Sequence, residues 1–318
     1  MRVLVTGAAG FIGSHITRAL LADGHEVVGL DDLSTGHRHN LPTPTAAWRF
    51  VHGDVRDPTT CDGAMQGASA VVHLAGRNSV PRSLADPRSA LEVNVVGGFN
   101  LLEAARAADV SRFVFASSSS VYGDDPTLPK VELQLRRPLS PYAASKASFE
   151  HFARAWSASW GLHTVGLRFF NVFGPRQDPA GAYAAVVPRF VEAALKRERP
   201  LIHGDGSFTR DFTYVDNVVH AVRRSLVAPD DASGAVLNVA CGGRVSVLGL
   251  WRAVAREAGF DAEPRFGPAR MGDMPHSQAD IGEARRLLGF EPVVDFDEGV
   301  RRTVGWFVAQ RQEVAHAG

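Results

Sequence analysis

An excess of charge, paired cysteines and long apolar runs are all missing from this chain of 318 residues. Its 34 basic side chains are matched by 34 acidic ones, so no net charge draws it to a polyanion. The short basic runs Lys196–Arg197 and Arg301–Arg302 have acidic or apolar neighbours and read as solvated helix faces, not as a nucleic-acid patch. Cys61 and Cys241 stand far apart in no metal-ligand spacing and are read as reduced thiols. No stretch approaches the roughly 20 apolar residues that cross a bilayer. Met1–Arg2 leads straight into Val3–Leu4–Val5, leaving no room for a signal peptide. These absences predict a cytoplasmic protein with neither nucleic acid nor membrane as partner. Lysine is scarce too, with three against 31 arginines.

What is present is an alternation. Val3–Val5 reads as a strand that stops at Thr6–Gly7, Phe11–Ala22 as a helix ended by Gly24, and Glu26–Leu30 as a second strand closed by Asp31–Asp32. Trp48–Val51, Ala70–Leu74, Arg112–Ala116 and Thr164–Arg168 read as further buried strands, with helices near 57–66, 88–108 and 142–160. Strands alternating with helices predict an α/β fold with a Rossmann-type, doubly wound parallel sheet over residues 1–171. After residue 172 the pattern loosens into Gly/Pro-rich connections around helices near 184–198, 216–226 and 246–258. A smaller lobe over 172–318 is expected, its boundary interleaved because parts of 210–245, Val236–Val239 among them, suit either lobe. The tail after Trp306 is expected to fray.

The first turn reads Gly7–Ala8–Ala9–Gly10–Phe11–Ile12–Gly13, one residue wider than the dinucleotide fingerprint. Its demand is the same: a tight turn without Cβ, close backbone approach to a pyrophosphate, and a helix N-terminus facing the phosphates. Asp31 follows Gly7 by 24 residues, where a carboxylate accepts from ribose hydroxyls and repels a 2′-phosphate, which favours NAD over NADP. Asp54 and Val55 are expected at the adenine rim, with Asp54 alternatively a helix cap.

Tyr142 and Lys146 stand four apart after Pro141, on one helix face. With four tyrosines and three lysines in the chain, about 0.04 such pairs are expected by chance. An ammonium beside a phenol, joined by the charge of an oxidised nicotinamide, is expected to lower the tyrosine's pKa and make it a general base or acid. The Ser117–Ser118–Ser119–Ser120 run ends a strand on the ligand-binding side of such a sheet, which makes Ser118 the candidate partner. His73 reads as a packed histidine. Phe152, Trp156 and Trp160 read as core or as a helix-pairing seam.

Together with His73–Leu74–Ala75, Arg168–Phe169–Phe170–Asn171–Val172–Phe173–Gly174–Pro175, Gly204–Asp205–Gly206, Arg210–Asp211–Phe212 and Gly272–Asp273, these motifs make the chain resemble the extended short-chain dehydrogenases/reductases, in the branch of nucleotide-sugar 4-epimerases. The resemblance spans nearly the whole chain. It implies NAD held by Gly7, Gly10, Phe11, Ile12, Gly13, Asp31, Asp54, Val55, Leu74 and Ala75 with Tyr142 and Lys146, and a UDP-sugar held by the second lobe. By position, Ser118 and Tyr142 would contact the sugar O4 and Lys146 the nicotinamide ribose. Asn171 would meet the sugar and diphosphate, Arg210 and Arg270 the diphosphate, and Asp273 the uridine ribose. Ser79, Ser119 and Val187 complete the implied substrate contacts, and dimeric relatives imply a homodimer. The pair Gly76–Arg77 departs from the pattern, since many relatives carry Ala and a hydrophobic residue there.

The implied reaction inverts C4 of a hexose through a 4-keto intermediate. A 4,6-dehydratase would need an acid and a base, typically an Asp–Glu pair after the strand, where this chain has Ser118–Ser119–Ser120, and UDP-glucuronate 4-epimerases usually carry Thr at Asn171. A non-catalytic NAD-binding protein would have no use for Tyr142 and Lys146 together. In the resembling epimerases a large Tyr at the position of Ser277 excludes an N-acetyl group. Serine there, with the Ser79–Ser83 segment, implies turnover of UDP-GlcNAc/UDP-GalNAc as well as UDP-glucose/UDP-galactose.

Overall fold

The computed structural model describes residues 1–180, 184–269 and 274–317. In the first half, β1 (Arg2–Thr6), α1 (Phe11–Ala22), β2 (Glu26–Asp31), β3 (Trp48–His52), α2 (Pro58–Met65) and β4 (Ala70–His73) are followed by α3 (Val80–Ala85), α4 (Pro87–Leu91), α5 (Gly98–Ala107), β5 (Arg112–Ser118), α6 (Pro141–Trp160) and β6 (His163–Phe169). Val3, Leu4 and Val5 are fully buried, as are Val71 and Val72 of β4, so the central strands are covered on both faces and have no need of polar alternation.

The second half contributes β7 (Val172–Phe173), α7 (Val186–Leu195), β8 (Leu201–His203), β9 (Thr209–Arg210), β10 (Thr213–Tyr214), α8 (Val215–Leu226) and β11 (Ala235–Val239). It ends with β12 (Val245–Ser246), α9 (Val247–Glu257), β13 (Arg265–Gly267), α10 (Gly282–Leu288) and α11 (Phe296–Ala317). Seven parallel strands form the main sheet in the order β11-β6-β5-β4-β1-β2-β3. The segment 236–239 therefore joins the main sheet, beside β6. The chain winds outward from β1 to β3 and then crosses back to β4, and the crevice at such a reversal is where doubly wound sheets bind ligands. The other short strands pair two by two, β10 with β7, β12 with β9 and β13 with β8.

Three local expectations need correction. The helix expected over 88–108 is broken by a π-helical turn at Glu92–Gly97. The tail does not fray after Trp306, because α11 runs to Ala317; Val300, Val304 and Phe307 return at helical spacing and are buried. Asp57, not Asp54, caps α2, accepting from Thr59 N at 3.1 Å and Thr60 N at 3.2 Å. Among the described residues no helix is long and apolar enough to cross a membrane, and no His/Cys/Asp/Glu cluster could hold a metal ion.

Candidate active site

A cavity of about 440 Å³ opens at the carboxyl ends of β1, β2, β4 and β5. Its floor is the turn from Gly7 to Gly13, where the glycines are required by contact. A Cβ on Gly13 would stand 2.0 Å from Gly7 O, and one on Gly7, whose φ is +71°, would stand 2.8 Å from Ala75 N. The turn thus lies against the exit of β4, and Gly10, Phe11, Ile12, Leu74 and Ala75 line the same space. Asp31 ends β2 at the wall. Its Oδ2 accepts from Ala9 N at 2.9 Å and its Oδ1 from Leu33 N at 2.8 Å, which leaves each oxygen a lone pair for a ribose hydroxyl. Burial raises the Asp31 pKa, opposed by those two amides. Asp54 and Val55 form the rim, with Asp54 held low in pKa by Arg56 at 2.6 Å. A Gly-only cradle at a helix N-terminus beside an acidic wall fits a dinucleotide.

At the other end of the cavity, α6 and β5 bring the reactive side chains together. Helix α6 is fixed at its start by Ser140 Oγ, which accepts from Ala143 N at 3.1 Å, and by Pro141 in its first turn. Tyr142 and Lys146 consequently face β5. Ser118 is the side chain that favours the ionised Tyr142 phenol. Ser118 Oγ accepts from Ser120 N at 3.2 Å and from Ser120 Oγ at 2.9 Å, so its own proton is the one left to donate. Ser119 lines the cavity beside it. Lys146 Nζ donates to Ala116 O at 2.9 Å, and burial pulls its pKa down to about 8, with Glu150 opposing.

From the chain's own groups alone, burial raises the Tyr142 pKa and Ser118 opposes that rise. The ammonium is directed at a carbonyl of the strand. Beneath these groups Glu150, on α6, accepts from Ser117 Oγ at 2.6 Å, Arg168 Nε at 2.9 Å and Arg136 Nε at 2.7 Å. His73 is buried against Thr6 Oγ1 at 2.8 Å, with its pKa lowered to about 3 by burial and then by Lys146: it is packed and neutral.

A second cavity of about 480 Å³ lies between α7 and the β8/β13 pair and shares Asn171 with the first. Asn171 sits at φ +32°, in the turn between β6 and β7. Arg189, Lys196, Arg199, Arg210 and Arg265 line this space against two acidic residues, Glu192 and Glu198, which suits an anionic ligand. Arg210 Nη1 also donates to Thr209 O and Pro275 O. Arg189, Arg199 and Arg265 were not singled out in the sequence; nothing in their local pattern separates them from other surface arginines, and Arg265 reaches the site only through the β13–β8 pairing. Val187 is packed in a hydrophobic core with Phe190 and Trp251, Ser79 caps α3 by accepting from Arg82 N at 3.3 Å, and Ser277 donates its N–H to Thr209 O at 3.0 Å; none of the three lines either cavity. Arg270 and Asp273 lie outside the described residues.

The comparisons agree with this geometry. The UDP-glucose 4-epimerase of Mycolicibacterium smegmatis is 43% identical over 311 residues, covering 96% of this chain and 98% of that one. Among solved structures, Thermus thermophilus UDP-glucose 4-epimerase in complex with NAD is 40% identical with a TM-score of 0.87, covering 97% of this chain and 99% of that one. The UDP-N-acetylglucosamine 4-epimerase of Methanobrevibacter ruminantium, in complex with UDP-N-acetylmuramic acid, is 38% identical with a TM-score of 0.92, covering 97% and 98%. Residues 3–240 match one family throughout, and with the glycine cradle, the acidic wall and the Tyr142–Lys146 pair on that stretch, the chain belongs to the NAD dependent epimerase/dehydratase family.

Proposed function

We propose that this protein is a UDP-hexose 4-epimerase that keeps its NAD bound and interconverts UDP-glucose with UDP-galactose and UDP-GlcNAc with UDP-GalNAc. The observation that carries the reading is that Ser118, Tyr142 and Lys146 line one cavity with the dinucleotide cradle, and that this cavity shares Asn171 with a second one rich in arginine. When bound, NAD supplies a reversible two-electron oxidation at C4 and, in its oxidised state, a positive charge beside Tyr142. Tyr142 Oη takes the O4 proton and returns it, while Ser118 holds O4 in reach. Lys146 is fixed at Ala116 O, next to the expected position of the nicotinamide ribose. Arg210 and the neighbouring arginines hold the diphosphate through planar forks, and the sugar, without such anchors, is free to turn its other face.

The finer roles follow the same logic. Gly7–Gly13, Asp31, Asp54, Val55, Leu74 and Ala75 bind the cofactor; Ser119 and Asn171 bind substrate, with Arg270 and Asp273 assigned by resemblance. We assign a homodimer to the face where Phe99, Phe152 and Trp160 are all exposed and clustered, Phe99 and Phe152 packing edge-to-face at 6.0 Å. A cytoplasmic setting suits two free thiols and a nucleotide-sugar substrate. Incubating the purified protein with UDP-glucose, UDP-galactose, UDP-GlcNAc and UDP-GalNAc, and separating the products by chromatography, tests the reading. Conversion of each member of a pair to the other supports it; four unchanged substrates with NAD bound overturn it, and turnover of UDP-glucuronate alone would transfer the assignment to that acid.

A further inference from the structure

The departure at Gly76–Arg77 coincides with a point where two edges of the cofactor cavity are tied together. Beyond β4 the chain passes Leu74–Ala75, which lie on Gly7, and reaches a peptide gripped from both sides by one buried side chain. Asn94 Oδ1 accepts from Arg77 N at 2.7 Å, and Asn94 Nδ2 donates to Arg77 O at 3.1 Å and to Ser145 Oγ at 2.8 Å. Asn94 is presented by the π-helical turn that interrupts the expected helix, a distortion common at functional sites. Gly76 has no room for a side chain, since a Cβ there would stand 2.9 Å from Asn94 Oδ1 and 3.5 Å from Lys146 Nζ.

From this fixed root the Arg77 side chain crosses to the β2 side, where its Nη1 donates to Ser34 Oγ at 2.8 Å. Ser34 in turn donates to Asp32 Oδ1 at 2.5 Å. The charges around the cavity give the crossing a use. Asp31, Asp32 and Asp54 line it on the acidic side, and among the described residues Arg77 and Lys146 are its basic lining. Lys146 is committed to Ala116 O beside Tyr142. A dinucleotide brings two further negative charges into that acidic rim, and Arg77 is the lining cation outside the Tyr142 end.

We propose that Arg77 is a latch on the bound dinucleotide: it bridges the two edges of the cleft through Ser34 and supplies the cation that the diphosphate meets. The proposal rests on the reading of this cavity as the NAD site. A reaction with no net redox needs its cofactor to stay through both half-reactions, and a bridge across the cleft slows release.

The test measures cofactor retention without turnover. Wild type, Arg77→Ala, Arg77→Lys and Ser34→Ala are purified, dialysed extensively and denatured, and the released NAD is quantified per chain. Release of NADH from reloaded protein is then timed by fluorescence, with circular dichroism as a check on folding. Loss of a charge-assisted hydrogen bond predicts about tenfold to a hundredfold faster release from Arg77→Ala. Arg77→Lys keeps the charge without the fork and falls between the two. Ser34→Ala removes the bridge alone and speeds release a few-fold, by about the worth of one ordinary hydrogen bond. Release from Arg77→Ala or Ser34→Ala at the wild-type rate overturns the latch. Failure of the wild type itself to bind NAD would overturn the cofactor reading instead.

Discussion

The residues lining the cofactor cavity follow strands of four to seven residues in one continuous parallel sheet, whereas those lining the second cavity lie on the helix α7 and on strands of two or three residues in separate pairs. In the first region, a glycine's position or a tyrosine's direction is set by backbone that is buried on both faces. In the second it is set by side chains and connections. The division suits a reaction in which the cofactor and the proton-transfer groups must not move while the sugar must turn. It also predicts that damage in the first region is severe and general, and damage in the second mild and selective.

The largest effect is expected at the end of the rigid region. Tyr142→Phe removes the group that takes and returns the O4 proton, a contribution of roughly 10²–10⁴-fold, and leaves the glycine turn and Lys146 in place. Turnover of UDP-glucose should fall by that factor, while NAD released on denaturation stays at the wild-type level. Near-normal turnover in this variant would remove Tyr142 from the mechanism, and with it the claim that the rigid region holds the chemistry.

The same contrast applies to ion pairs. Arg168 and Glu150 are both fully buried as side chains, joined at 2.8 Å, and tie β6 to α6 and, through Ser117, to β5. Glu150→Gln leaves an arginine buried without its carboxylate, which costs about 3–5 kcal/mol by the precedent of broken buried pairs. Urea unfolding reads this as a lowered midpoint. Glu283→Gln, which opens the solvent-exposed pair with Arg286 on α10, should leave the midpoint unmoved. Equal shifts in both variants would show that burial adds nothing to the worth of the Arg168–Glu150 pair.

How much of this was legible in the sequence follows the same line. The bounds of α1 and the position of β2 could be read directly, because buried strands show as apolar runs and Gly24 and Asp31 punctuate them. Tyr142 and Lys146 were legible because helical spacing alone places them on one face. The π-helical turn was hidden, since the contacts made from it, of Asn94 with Arg77 and Ser145, are distant in sequence. The basic lining of the second cavity was hidden for a different reason. In a chain with 31 arginines, no local signal distinguishes Arg265, whose place depends on pairing 64 residues away, between Arg265 and Leu201. Val187 fell on α7's buried face because the Val187, Phe190, Val191, Ala194 stripe packs into the core with Trp251.

Acid should weaken the rigid region in a defined window. His73 has its pKa lowered from 6.5 to about 3 by burial and by Lys146, so the unfolded chain binds the proton more readily than the folded one. Its contribution is therefore fully present above about pH 6.5 and is lost progressively as the pH falls toward 3. His73→Asn keeps a polar atom for Thr6 and cannot titrate. Its urea midpoint should decline less steeply between pH 6.5 and 4 than that of the wild type, and parallel slopes would show that His73 does not govern this window.

The smallest and most selective effect is expected in the second region, at Ser277. The segment that carries it pairs with β9: Thr209 bridges to His276, Ser277 N donates to Thr209 O at 3.0 Å, and Arg210 Nη1 reaches Pro275 O at 3.2 Å. Position 277 thus travels with Arg210, although its small side chain lines neither cavity. Tyrosine at this position adds a ring to a strip held along β9 by several hydrogen bonds, Thr209 N to Pro275 O and Thr209 Oγ1 with His276 Nδ1 among them, and by the resemblance that ring would stand on the sugar's C2 side. An acetamido group competes for that space and a hydroxyl does not. Ser277→Tyr should lower kcat/KM for UDP-GlcNAc by about tenfold, the scale on which a pocket discriminates by size. UDP-glucose turnover should stay within about twofold, since it asks for no such volume. Ser277→Ala should leave both substrates at wild-type values, because size and not the hydroxyl sets the gate. If Ser277→Tyr lowers both substrates equally, position 277 acts through Arg210 and the diphosphate, and the sugar's C2 side is bounded elsewhere.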